Sequence, residues 1–179
     1  AGDSTLCAGS TGTYTIPAPA NATGYTWTVP PGASILSGQD STVLQVSWSA
    51  APGGDVCLAA TNGCGAGIPD CFPVIVFAVP VANAGVDSAV CDTAITLSST
   101  ISVGTGVWAL GSGPGTAGFT NADSTVTPVT VSQNGVYTFL WTASNGICSD
   151  SDTVQVQFNA SPLIGLLRST CDATNQNYT

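Results

Sequence analysis

Residues 135–156, GVYTFLWTASNGICSDSDTVQV, decide how the whole chain is read. From Val136 to Ala143 the apolar residues Phe139, Trp141 and Ala143 fall on one side of an extended chain, a period of two that belongs to a half-buried strand. Asn145-Gly146 then supplies residues that tolerate the positive φ of a tight hairpin, and a second strand is expected over residues 153–158. Residues 54–67, GDVCLAATNGCGAG, repeat this arrangement, with Val56, Leu58 and Ala60 at the positions of Phe139, Trp141 and Ala143. Those six positions are the expected core face. Cys57 has the opposite parity, as does Cys71 relative to Phe72, Val74 and Val76, so these two cysteines can meet across a hairpin on the outer face.

The repetition extends outward from the turns. AGDSTLC at residues 1–7 returns as AGVDSAVC at 84–91, and ATNGC at 60–64 returns as ASNGIC at 143–148. A third opening follows, since CAGSTGTYT at 7–15 is echoed by CDATNQNYT at 171–179. Cys7, Cys91 and Cys171 mark a period near 80 residues, too long for a solenoid repeat and suited to a tandem array of sandwich modules. Further strands are expected over residues 43–48, 55–60, 72–78 and 125–131, and no window carries a 3.6-residue period. Trp27 and Trp108 read as central-strand core tryptophans. The expected fold class is all-β: one sandwich over residues 1–80, a second over 81–160, and a linker with the first strand of a third over 161–179.

Composition excludes several functions. The chain has no His and a single basic residue, Arg168, against ten acidic residues, all Asp, for a net charge of −9. Such a surface repels phosphate backbones, and nucleic acid is not an expected partner. The longest apolar run, VIVFAVPVA at 74–82, is too short to span a bilayer, so no membrane insertion is expected. A catalytic cysteine would lack a basic partner, and Asp150 and Asp152, the closest acidic pair, read as solvated or as weak Ca²⁺ ligands rather than as an acid and a base. The expectation is that the chain is not an enzyme and takes no cofactor. A junction Ca²⁺ site using Asp3 and Asp87 is a minor alternative.

Seven cysteines point to an oxidising, extracellular compartment. Four lie in the first module, which leaves three pairings open in principle. Fifty-seven positions separate Cys7 from Cys64 and also Cys91 from Cys148, and the second module has only that pair. The economical expectation is therefore Cys7 with Cys64, Cys91 with Cys148 and Cys57 with Cys71, leaving Cys171 without a partner in the chain.

The AGxD opening with its cysteine, the YTWTVP strand at 25–30, the run SGQDSTVLQVSW at 37–48 and the closing Asn-Gly-Cys turn resemble PKD-like and other immunoglobulin-like repeats. GTGVWALGSGPGTAGF at 104–119 looks like the same class. The resemblance is to very long cell-surface proteins of Bacteroidetes, many exported by type IX secretion and implicated in adhesion or gliding. It implies a structural module of an extracellular adhesin, stalk or filament, whose partners are neighbouring modules or other copies. The alternative is an accessory module that binds carbohydrate or another ligand, with Trp48 and Tyr25 as the candidate platform and glycans or surfaces as partners. The resemblance also bears on solubility, because only 6% of the residues are charged. Six Asp-Ser or Asp-Thr tripeptides resemble the O-glycan acceptor of secreted Bacteroidetes proteins, and they name Ser4, Ser41, Ser88, Thr93, Ser124 and Thr153 as acceptors.

Overall fold

The structure, a computed structural model, describes residues 1–161. The expected third opening, with Cys171 and most of its linker, lies outside the described residues. Alternating apolar residues and Gly or Asn turns set the local structure, and every element among the described residues is a strand.

The first eight strands are β1 (Thr5–Cys7), β2 (Thr11–Thr15), β3 (Gly24–Thr28), β4 (Ala33–Ser37), β5 (Val43–Trp48), β6 (Gly53–Asn62), β7 (Gly65–Ala66) and β8 (Asp70–Phe77). They form two facing sheets, one in the order β1-β8-β6-β3 with β7 added to β6, the other in the order β2-β5-β4. The next nine are β9 (Ala82–Asn83), β10 (Ser88–Val90), β11 (Ala94–Ser98), β12 (Thr100–Ile101), β13 (Thr105–Ser112), β14 (Ala117–Phe119), β15 (Val126–Val131), β16 (Gly135–Asn145) and β17 (Cys148–Phe158). Their sheets repeat the plan, β10-β17-β16-β13 facing β11-β15-β14, with β9 paired to β12. In each sandwich the opening strand runs parallel to the last one, β1 beside β8 and β10 beside β17, and the other pairs are antiparallel.

Each sandwich closes over its own core, supplied at every second residue. Leu44, Val46 and Trp48 of β5 face Val56, Val74 and Val76 in the first. Tyr137, Phe139 and Trp141 of β16 meet Val154, Val156 and Phe158 of β17 in the second, where Tyr137 and Phe158 pack edge to face at 5.4 Å. Trp27 and Trp108 are buried core residues. Each fully buried apolar side chain contributes about 1.5–3 kcal/mol, and no basic side chain is present among the described residues to add ion pairs. Cys57 and Cys71 face each other across β6 and β8 on the outer surface, with Cα atoms 4.0 Å apart, and are joined by a disulfide.

One element departs from the sequence expectation. Residues 148–152, CSDSD, lack apolar alternation and precede the strand expected over 153–158, yet β17 starts at Cys148, which pairs with Asn145 of β16. The backbone ladder needs no apolar side chains, and the polar side chains of this stretch find partners of their own, described below.

Trp48 is fully buried, and its Nε1–H donates to the Tyr14 hydroxyl at 3.1 Å. Gly12 permits that bond, because a Cβ there would stand 2.7 Å from the hydroxyl oxygen. Burial pushes the Tyr14 phenol above its ordinary pKa, the bond from Trp48 opposes the shift, and the Asp3 carboxylate adds to it. The unfolded chain ionises at the ordinary value, so the stability Tyr14 supports is whole below that pH and is lost as pH rises through the folded pKa. Tyr14→Phe strands the indole N–H in the core. The expected cost is about 1–3 kcal/mol, read as a lower urea midpoint at unchanged slope; an unchanged midpoint would mean that the bond contributes nothing.

Candidate functional site: the junction between the two sandwiches

The chain passes from one sandwich to the other through residues 79–85, VPVANAG. A short segment of small residues would swing if water satisfied its amides. Here protein acceptors take them. Pro80 is fully buried, and Val81 N–H donates to Ser102 Oγ at 2.8 Å. Ala82 N–H donates to Asp150 Oδ2 and Ala84 N–H to Asp152 Oδ2, both at 2.8 Å. Amides two residues apart on an extended linker meet carboxylates two residues apart on β17, so both ladders share the strand repeat of about 6.6 Å. Bonds to a charged acceptor contribute about 1.5–3 kcal/mol each when shielded, and both carboxylates are half-buried.

This corrects the reading of Asp150 and Asp152 as solvated residues or weak Ca²⁺ ligands: each carboxylate is engaged by a linker amide. Asp3 and Asp87 act within their own sandwiches, accepting from Thr13 N–H at 3.0 Å and from Gln155 N–H at 2.8 Å. Among the described residues no group of three or more potential metal ligands is gathered.

The turn between β16 and β17 holds the end of the first sandwich in three ways. Asn145 Nδ2–H donates to Ala78 O at 2.8 Å. Gly146, at φ +60, lies under the Phe77 ring, where a Cβ would stand 2.6 Å from the ring carbons. Beside it Cys148, almost fully buried, is bonded to Cys7, with Cα atoms 5.8 Å apart across a sequence separation of 141.

The expected pairs Cys7 with Cys64 and Cys91 with Cys148 are therefore not those of the structure. Cys64 and Cys91 are exposed and unpaired among the described residues. The reason is topological. Cys7 pairs with Phe77 at the far end of β8, whereas Cys64 sits in the turn that leads toward its start. Eight residues of β8 at about 3.3 Å each put the two cysteines on the order of 25 Å apart, several times what a disulfide spans. The constant spacing of fifty-seven records that each second cysteine lies at the same hairpin turn, Cys64 within it and Cys148 just past it, not a bond between the two members of a pair. The signal available in the sequence was the turn itself, since a cysteine beside a hairpin tip lies at a pole.

Of the other site residues, Trp48 belongs to the core and offers no ligand platform, while the Tyr25 N–H donates to Asp40 Oδ1 at 2.7 Å and Tyr25 is half-buried. Among the glycan acceptors, Ser4, Ser88, Thr93 and Thr153 are exposed. Ser41 and Ser124 are half-buried, and their hydroxyls accept from Val43 N–H and Val126 N–H in equivalent turns.

Residues 1–74 match the family model of the PKD-like domain. No curated protein matches the chain. Among solved structures, extracellular domains 3–5 of Drosophila OTK share 12% identity over 88% of this chain and 59% of that one, with a TM-score of 0.55. The insect immune protein hemolin shares 16% identity over 88% of this chain and 45% of its own, with a TM-score of 0.51. The chain thus spans about half the length of these two proteins. The PKD domain from KIAA 1837 protein, a solution structure, shares 26% identity over 47% of this chain and 92% of that one, with a TM-score of 0.38. The fold is all-β and of the immunoglobulin-like, PKD-like class.

Removing one carboxylate of the linker ladder tests its role. Asp152→Ala should raise hydrogen exchange at the Ala84 amide at least tenfold, the equivalent of about 1.4 kcal/mol, and leave the Trp141 amide unchanged. Unchanged exchange at Ala84 would mean that the linker is held by other contacts.

Proposed function

We propose that residues 1–80 and 81–160 are autonomous modules and that together they serve as stiff structural beads of an extracellular tandem-repeat surface protein, an adhesin, stalk or filament of the kind the sequence resembles. The carrying observation is the junction, where the Cys7–Cys148 disulfide and the bond from Asn145 to Ala78 O tie one sandwich to the other, while Asp150 and Asp152 dock Ala82 and Ala84 of the linker onto the second, leaving little of the swing that a short linker otherwise allows. A protein that binds a small ligand needs a pocket with convergent polar groups, whereas one that bears load needs fixed angles between its beads. The match of residues 1–74 to the PKD-like domain supports a non-catalytic, structural role, as does a chain without His. Partners on this reading are neighbouring modules and other copies. No helix of the described residues is long and apolar enough to cross a membrane.

Small-angle X-ray scattering tests the stiffness. The oxidised chain should fit one arrangement of the two sandwiches, and the variant carrying Cys7→Ser and Cys148→Ser should require a broader ensemble. A broad ensemble in the native chain would refute the reading.

A sugar coat is the second part of the proposal. The exposed Ser4, Ser88, Thr93 and Thr153 lead as O-glycan acceptors, with Ser41 and Ser124 behind them because their hydroxyls serve local turns. Protein from its native source should exceed the 17.7 kDa of this segment by several hexose-sized increments in intact-mass analysis, and the bare mass would end this part.

A further inference from the structure

Cys7 closes β1 and Cys91 directly follows β10, the strand in the same place in the second sandwich. Cys64 and Cys148 lie at the Asn-Gly turns that end β6 and β16, Cys64 directly after the glycine in the turn itself and Cys148 one residue later at the start of β17. The bond across the junction joins one member of each class, a cysteine at the lower pole of one sandwich to a cysteine at the upper pole of the next. The remaining two, Cys91 at the lower pole of the second sandwich and Cys64 at the upper pole of the first, are both exposed and unpaired among the described residues. The two-sandwich unit therefore presents a cysteine at each outer pole, one beside the opening strand and one in the hairpin turn, the two elements that meet in its own junction.

The upper pole has the shape such a contact needs. A recess of about 300 Å³ is lined by Asn21, Ala22, Thr61, Asn62, Cys64 and Gly65. Asn62 holds the place of Asn145, and its Nδ2–H, with no junction carbonyl to bond, donates to Asn21 O within the same sandwich at 3.2 Å. Where the Phe77 ring covers Gly146, the corresponding Gly63 has nothing within 4 Å of its Cβ position. Close in sequence to this turn, Ile68 is 95% exposed, an apolar side chain of the kind an interface covers.

We propose that Cys91 of one copy of this chain forms a disulfide with Cys64 of a second copy, repeating the Cys7–Cys148 junction head to tail. The inference deepens the array reading above and shares its premise that the modules stack pole to pole. The step is an oxidation: two thiols form one S–S bond, and their two electrons and two protons pass to a disulfide oxidant such as oxidised glutathione, which leaves as two thiols.

The test uses the full chain with Cys171→Ser, incubated in a glutathione redox buffer, followed by non-reducing electrophoresis and peptide mapping. A ladder of dimers and higher species is expected, with the Cys64–Cys91 peptide as the main new crosslink. Cys64→Ser alone and Cys91→Ser alone should stay monomeric. A mixture of the two variants should give a dimer and nothing larger. Cys64–Cys64 and Cys91–Cys91 peptides at statistical abundance would overturn the proposal, as would a chain that ends as glutathione-capped monomer. That second outcome combined with single-arrangement scattering would defeat the crosslink and spare the stiff-bead reading. A crosslinked ladder built from units that scatter as a broad ensemble would do the reverse.

Discussion

A covalent bond between sandwiches, Cys7 to Cys148, is the constraint on which the rest of the arrangement depends. Closing a loop with a sequence separation of 141 removes about 5 kcal/mol worth of unfolded-state entropy in the loop-closure model, and that loop contains the buried residues of the first core and most of those of the second. Opening either sandwich thus releases chain that remains tethered to the other. The bond also fixes where the turn between β16 and β17 lies, and this places Asn145 against Ala78 and Gly146 under Phe77. Asp150 and Asp152 follow along the same strand and meet the linker amides in register.

The chemistry of the chain fits this way of holding modules together. Without basic side chains among the described residues, neither surface ion pairs nor a charged interface can orient one sandwich on another. What remains is apolar burial inside each module, one disulfide and the Asn145 amide bond between them, and charge-assisted bonds that dock the linker on the second. These respond weakly to ionic strength, because the bonded atoms sit at contact distance and the charges involved are half-buried. The chain keeps its geometry on these terms as long as its disulfides stay oxidised.

Much of the fold was legible in the sequence because a period of two is a local signal. Phe139, Trp141 and Ala143 are buried, and the parity of Cys57 and Cys71 put both on the outer face of a hairpin. The junction was not legible for an equally physical reason. Pairing Cys7 with Cys148 requires knowing that the opening strand lies parallel to the last strand, which sets Cys7 at the pole away from the hairpin tip. Repeat spacing carries no such information, since it is the same whether a cysteine bonds within its module or to its neighbour. Asp150 and Asp152 were misread in the same way: their partners are backbone amides 68 residues away, and backbone amides leave no mark in a sequence.

Non-reducing peptide mapping of the purified chain, with free thiols blocked before digestion, tests this account most directly. The account predicts peptides joining Cys7 to Cys148 and Cys57 to Cys71, with Cys64 and Cys91 recovered as blocked thiols. Recovery of Cys7 joined to Cys64 and Cys91 joined to Cys148 would contradict it, because each sandwich would then be closed on itself and the junction left without its covalent tie.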